Sequence, residues 1–129
     1  MRGAFQGEPG AYSEQAVFEY CGEVETLPCE TFDDVFAAVT SSACESGLIP
    51  IENSLAGSIH QNYDLLLRHE LHIAGEYFLR VQHCLIGFPG VALTEIRRVI
   101  SHPQALGQCA GTLRELGVKT EPVYDTASE

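Results

Sequence analysis

Four short segments of the 129-residue chain cluster polar side chains beside glycine or at a helix start, and these are where chemistry could be done. The most informative is Pro50-Ile51-Glu52-Asn53-Ser54-Leu55-Ala56-Gly57. Asn53 and Ser54 can each donate and accept a hydrogen bond, and Glu52 accepts when ionised. Placed after a buried strand and ahead of a helix, they could bind a small polar ligand. They could equally be a solvated glutamate and a helix cap. Gly7-x-x-Gly10 followed by Tyr12-Ser13 suggests a phosphate- or carboxylate-binding loop without the spacing of either established motif, or a tight turn with Ser13 as cap. In Ser101-His102-Pro103-Gln104, His102 could be a general acid or a partner for a backbone carbonyl. Asp125-Thr126 reads most simply as capping.

Metal chemistry has little support. The five cysteines, Cys21, Cys29, Cys44, Cys84 and Cys109, contain no C-x-x-C pair, and the five histidines no H-E-x-x-H. A zinc site needs several ligands converging at about 2 Å. Reduced, buried core thiols are the expected role for the cysteines, and no cofactor is expected.

The polar segments need a scaffold, and the pattern supplies alternating strands and helices. Arg2–Gln6 is strand-like and breaks at Gly7-Glu8-Pro9-Gly10; Ala11–Cys21 has helical spacing and ends at Gly22. Val24–Leu27 is a second strand. Thr31-Phe32-Asp33-Asp34 has the form of a capping box with Asp for Glu, ahead of an apolar face at Phe32, Val35, Phe36 and Val39. Gly47–Ile51 reads as a compact buried strand. Ile59–His69 is amphipathic, with Ile59, Tyr63, Leu66 and Leu67 on one stripe. Leu71–Phe88 reads as one or two extended strands that could cross between lobes. Arg98–Ser101 is a short strand. Pro103 then opens a helix covering Ala105 to Leu116 that Gly117 stops, and Val118–Tyr124 is the next strand.

This alternation indicates an α/β fold with a largely parallel sheet. Ligands in such sheets bind at the carboxyl ends of strands. That rule marks Gly7–Ser13, Glu52–Gly57, Ser101–Gln104 and Asp125–Thr126, where backbone N–H groups could meet an anion.

Composition limits the partners. Seven basic residues against 18 acidic ones give −11, which argues against nucleic acid or an anionic membrane. Residues 1–70 hold 12 acids and 2 arginines; residues 71–129 hold 6 acids and 5 bases. This hints at two lobes, or at an ordinary acidic surface. No apolar run approaches the roughly 20 residues of a membrane helix, and no secretory signal is visible. The length suits one domain. Thr126-Ala127-Ser128-Glu129, however, is a second capping box at the chain's end, either a frayed tail or a helix cut at its start.

In order and spacing, these segments resemble the catalytic domain of prephenate dehydratase, or of the similar arogenate dehydratase. The resemblance runs from Ala4 to Ala127. It rests on Phe5-Gln6-Gly7-Glu8-Pro9-Gly10-Ala11-Tyr12-Ser13, Thr31 through Val39, Pro50 through Ser58, His83-Cys84-Leu85, Val99 through Leu106 with Gln108-Cys109, and Asp125-Thr126-Ala127. The fold it implies is two α/β lobes similar to type II periplasmic binding proteins, with the active site in the cleft between them. Lobe 1 would span about 1–72 and an incomplete lobe 2 about 73–129. The implied reaction is decarboxylating dehydration of prephenate to phenylpyruvate in phenylalanine biosynthesis. Arogenate would give phenylalanine directly.

Residues matching the family's cleft are Ser13, Asn53, Ser54, Gly57, His102, Gln104 and Thr126, expected to bind or position substrate. The family's late Thr-Arg-Phe motif, carrying the candidate acid and a carboxylate-binding arginine, does not occur among the 129 residues. Nor does the appended ACT domain that would bind phenylalanine. The resemblance therefore implies a fragment inactive alone, with a homo-oligomer as the expected assembly. A non-catalytic small-anion binding module is the competing reading. Gly57 through His69 looks closer to arogenate-type members. The expected compartment is the cytoplasm, or the plastid if the source is a plant or alga.

Overall fold

A computed structural model of the chain describes residues 1–55 and 57–123. Thr126, its capping box through Glu129, and the end of the expected strand at Tyr124 lie outside the described residues. The fold is mixed α/β with parallel sheets, as expected, and divides into two compact units, Met1–Arg80 and Val81–Glu129.

In the first unit, strands β1 (Arg2–Gln6), β2 (Glu25–Cys29) and β3 (Ser46–Leu48) form a parallel sheet of order β2-β1-β3. Helix α1 (Tyr12–Cys21) joins β1 to β2, and α2 (Phe32–Thr40) joins β2 to β3. β1 is buried on both faces because both its edges are paired and helices cover it. Ala4 packs in a cluster with Val35, Ala38 and Cys44. Gly3 points the other way, so close to α1 that a Cβ there would lie 3.0 Å from Val17 Cγ1. Phe5 shares that side by the strand's two-residue period and is fully buried. Its burial alone stabilises by about 1.5–3 kcal/mol.

Local signals acted as read. Thr31 Oγ1 accepts from Asp34 N at 3.1 Å while Thr31 N donates to Asp34 Oδ2 at 3.1 Å, closing the capping box of α2. Gly22 ends α1 with φ +79°. β3 differs from expectation: it is three residues long and only half-buried, because it is an edge strand paired on one side.

After β3, the strands β4 (Glu52–Asn53) and β5 (Gly57–Ser58) form a small antiparallel hairpin, followed by α3 (His60–Arg68). The stripe expected on α3 holds for Ile59 and Leu66, which are half-buried, and fails for Tyr63 and Leu67. The buried residues of α3 are Asn62 and Leu65, with Leu66 and His69 half-buried, whereas Tyr63 and Leu67 face solvent. Phe36 stacks on His69 with ring centroids 5.0 Å apart, which turns the 62/65/66/69 face toward α2.

Leu71–Phe88 forms no paired strand among the described residues. A strand exists only through a neighbouring strand's hydrogen bonds, and the neighbour here is a helix: Tyr77 packs on Tyr20 of α1 with ring centroids 6.1 Å apart. Ile73, Phe78, Ile86 and Phe88 are accordingly exposed, as is Cys84, contrary to the buried-thiol expectation. The division between the units falls inside this segment, after Arg80.

The second unit holds β6 (Arg98–Ser101), the short helices α4 (Pro103–Gln108) and α5 (Ala110–Leu116), and β7 (Lys119–Pro122), parallel to β6. The single helix expected here is interrupted at Cys109, whose φ −102° and ψ 8° leave the helical basin. Gly117 stops α5 in the left-handed conformation. Leu113 is its one buried large side chain among the described residues.

Candidate functional site

The β2-β1-β3 order gives the first unit a topological switch point. From β1 the chain goes first to one side of the sheet, through α1 to β2, and later to the other side, through α2 to β3. Loops leaving the carboxyl ends of β1 and β3 therefore start side by side, with Phe5 paired to Leu48. Crevices at such points are where open α/β sheets bind ligands. The first loop leads into α1, whose first turn holds Ser13, and the second carries Asn53, Ser54 and Gly57. An open concavity of about 610 Å³ lined by Met1, Arg2, Glu25 and Ser42 to Glu45 lies at the strands' amino ends instead. The candidate site is the pair of loops at the strands' carboxyl ends, the side on which open α/β sheets bind ligands.

The β1 loop turns on Gly7 (φ +122°) and Gly10 (φ +92°), conformations that L side chains rarely adopt. Gly7 N donates to Cys29 O at 3.0 Å, tying the loop to β2. Ser13 is not a cap. The helix N-cap is Ala11, which makes no side-chain bond, and Ser13 is a half-buried residue of the first turn. Glu14 does the capping work: its Oε2 accepts from Gly10 N at 2.7 Å and its Oε1 from Thr26 Oγ1 at 2.8 Å. One carboxylate thus already sits at the positive end of α1.

The β3 loop is stiffer than its composition suggests. Asn53 Oδ1 accepts from Leu55 N at 2.9 Å, an Asx turn, so Asn53 shapes the loop as well as lining it. Gly57, with φ +81°, lets the chain return beside Asn53. Ile59 N donates to Ile51 O at 2.9 Å and closes the hairpin's base. Ser54 is exposed in the turn, and Gly57 and Ser58 are exposed along β5. Ser54 caps no helix, since α3 begins six residues later with Ile59 as its N-cap.

Sequence reasoning missed Asn62. It is fully buried and donates through Nδ2 to Pro50 O at 2.7 Å, anchoring the start of the loop to α3. Its spacing of three, four and seven from Leu65, Leu66 and His69 was the available signal.

In the second unit, Ser101 ends β6 and Val123 N donates to Ser101 O at 2.9 Å. His102 is the N-cap of α4, its Nδ1 accepting from Gln104 N at 3.2 Å. The expected carbonyl partner is thereby corrected to an amide donor. A ring accepting through Nδ1 carries its proton on Nε2, so His102 presents an N–H donor. Gln104 is exposed in the first turn of α4. Thr126 lies outside the described residues.

Among the described residues, no three His, Cys, Asp or Glu are grouped to hold a metal ion, and no helix is long and apolar enough to cross a membrane. The loops of the first unit offer hydroxyls, amides and backbone N–H groups, and in the second unit His102 offers an imidazole N–H. Such donors can orient carboxylates and hydroxyls.

Comparison with known proteins narrows the chemistry. The family model described as prephenate dehydratase matches residues 4–128. The chain is 54% identical over 127 residues to "Arogenate dehydratase/prephenate dehydratase 2, chloroplastic" of Arabidopsis thaliana, covering 98% of this chain and 33% of that protein. It thus spans about a third of the length of that curated relative. The prephenate dehydratase of Staphylococcus aureus superposes with a TM-score of 0.83 at 26% identity, over 95% of this chain and 47% of that one. GqqA, described as a novel type of quorum quenching acylase, superposes with a TM-score of 0.88 at 43% identity, over 99% of this chain and 47% of that one.

Proposed function

The chain belongs to the prephenate dehydratase family, and on that premise we propose that it supplies substrate-holding residues of a dehydratase acting on prephenate or arogenate. The observation that carries the reading is the switch point, where the loops of Ser13 and of Asn53, Ser54 and Gly57 leave neighbouring strands.

In the reaction, the bond from ring carbon to carboxylate breaks and its electron pair enters the ring. The ring hydroxyl leaves, takes up a proton and departs as water; the carboxylate departs as carbon dioxide. Aromatisation drives the step, so the protein's task is to hold two carboxylates and protonate the leaving group. General-acid assistance of this kind contributes about 10²–10⁴-fold. Ser54 offers a hydroxyl donor and Asn53 an amide beside Gly57, Ser13 a hydroxyl in the first turn of α1, and His102 an Nε2–H. Gln104 and Thr126 complete the proposed binding set. With a net charge of −11, attraction of a dianion rests on these local donors.

The acid itself is proposed to come from a Thr-Arg-Phe segment outside these 129 residues, so the chain alone is proposed to be inactive. The sparse core of the second unit, with one large buried side chain among the described residues, supports its completion by further polypeptide. Homo-oligomerisation and phenylalanine binding by an ACT domain are further proposals. The compartment follows the source, plastid in a plant or alga and cytoplasm otherwise.

Arogenate is favoured by the stretch Gly57–His69, and the 54% identity to a relative named for both substrates supports keeping both. The likeness to GqqA motivates a second reading, acyl-amide hydrolysis. One experiment separates them: the complete polypeptide is given prephenate, arogenate and an acyl-amide signal in parallel. Formation of phenylpyruvate or phenylalanine supports dehydration. Acyl release alone overturns it, and binding without turnover of any substrate points to an anion-binding module.

A further inference from the structure

Asn62 lies on α3, outside the loops that meet the switch point, yet it is fully buried in a surface helix of a chain this polar. Burying an amide is costly unless it is hydrogen-bonded, so its bond matters. Nδ2 donates to Pro50 O at 2.7 Å, across twelve residues of sequence. Proline has no N–H, so residue 50 contributes only its carbonyl, and Asn62 holds it. One residue later Ile51 O accepts from Ile59 N at 2.9 Å, and Asn62 N donates to Ile59 O at 3.1 Å. Asn62 is therefore joined to both stems of the hairpin that presents Asn53, Ser54 and Gly57. Leucine at the same place would fill the space but leave the Pro50 carbonyl unpaired.

We propose that Asn62 is a positioning residue for substrate binding: it fixes the Glu52–Ser58 hairpin against α3 so that its exposed donors stand ready before substrate arrives. This rests on the dehydratase reading above. Its Oδ1 is buried with no hydrogen-bond partner among the described residues. The amide is thus held by one strong bond, and losing that bond frees the side chain and the hairpin together. Preorganised loops bind with less ordering cost, so loosening this one weakens binding while leaving the acid step intact.

The test uses the complete enzyme carrying Asn62→Leu or Asn62→Thr, the latter retaining a hydroxyl donor for Pro50 O. For Asn62→Leu the expectation is a KM raised about tenfold with kcat changed less than about twofold, within the range set by one buried hydrogen bond. Asn62→Thr should recover part of that loss. Hydrogen exchange at the Ile59 amide, read without substrate, should accelerate in the leucine variant. Unchanged KM with a lowered melting temperature overturns the proposal and leaves Asn62 a packing residue. A fall in kcat at constant KM overturns it as well. Absence of turnover by the unmodified enzyme with both substrates removes the functional reading, and the role assigned to Asn62 with it. An unchanged KM beside normal wild-type turnover removes this inference alone. Should the leucine variant fail to fold, the threonine variant and its exchange rates decide.

Discussion

Gly47→Ala is a sharp test of how the first unit carries its site. Gly47 lies in β3, and a Cβ there would stand 2.8 Å from Val35 Cγ1 and 3.1 Å from Val39 Cγ2. Carbon atoms prefer about 3.5–4.0 Å, so the nearer contact is roughly 0.7–1.2 Å too short. Val35 is 1% exposed and β-branched, which leaves it one favoured rotamer in a helix and no room to turn. Burying one methyl gains about 0.8 kcal/mol, whereas overpacking costs about 1–3 kcal/mol. The balance is a loss of up to about 2 kcal/mol, relieved by β3 swinging off α2. In a unit of this size that lowers the melting temperature by up to about 15 °C. Thermal unfolding followed by circular dichroism measures it. Gly111→Ala is the control of opposite sign, since it lies in α5 with nothing within 4 Å of a new Cβ and should be neutral or slightly stabilising. A melting temperature for Gly47→Ala equal to or above that of the unchanged protein would refute the packing of β3 on α2.

Three other outcomes are expected. Thr31→Ala removes the capping box of α2 and should cost about 1 kcal/mol, read as a shift in denaturant midpoint at constant slope. His102→Asn keeps an oxygen to accept from Gln104 N but loses the imidazole N–H; stability should stay within about 0.5 kcal/mol while the complete enzyme's KM rises several-fold. An unchanged KM would confine His102 to capping. Glu45 is held below the ordinary carboxylate value of 4.5 first by the Arg2 backbone N–H, and Glu19 by its hydrogen bond from the Tyr77 hydroxyl. Their folded values are depressed, so their contribution is present above 4.5 and disappears as pH falls through the lower folded values. The double variant Glu19→Gln, Glu45→Gln should therefore lose less melting temperature on acidification below that point than the unchanged protein.

What was legible in the sequence was what short stretches decide for themselves. Thr31 and Asp34 cap α2 wherever α2 goes, and Gly22 and Gly117 stop helices because they alone enter their backbone conformations cheaply. The loops with Ser13 and with Asn53, Ser54 and Gly57 were found as polar breaks after strands. Their meeting at one switch point was not visible, because β3 could have paired on either side of β1. The stripe on α3 was misread because hydropathy ranks Tyr63 and Leu67 above Asn62, yet the Pro50 carbonyl selects the amide. Leu71–Phe88 has the composition of a strand, but composition cannot supply a partner. The ring orientation of His102 was hidden too, since it depends on the N–H of Gln104, two residues along.

We propose that this chain holds substrate for a dehydratase whose acid lies in a Thr-Arg-Phe segment outside these residues. The most direct measurement compares the purified 129-residue chain with a polypeptide extended through that segment, following phenylpyruvate from prephenate and phenylalanine from arogenate. The expected result is product formation by the extended polypeptide and a rate from the shorter chain indistinguishable from the uncatalysed reaction. Robust turnover by the 129 residues alone would contradict this, because the acid would then have to be among those 129 residues.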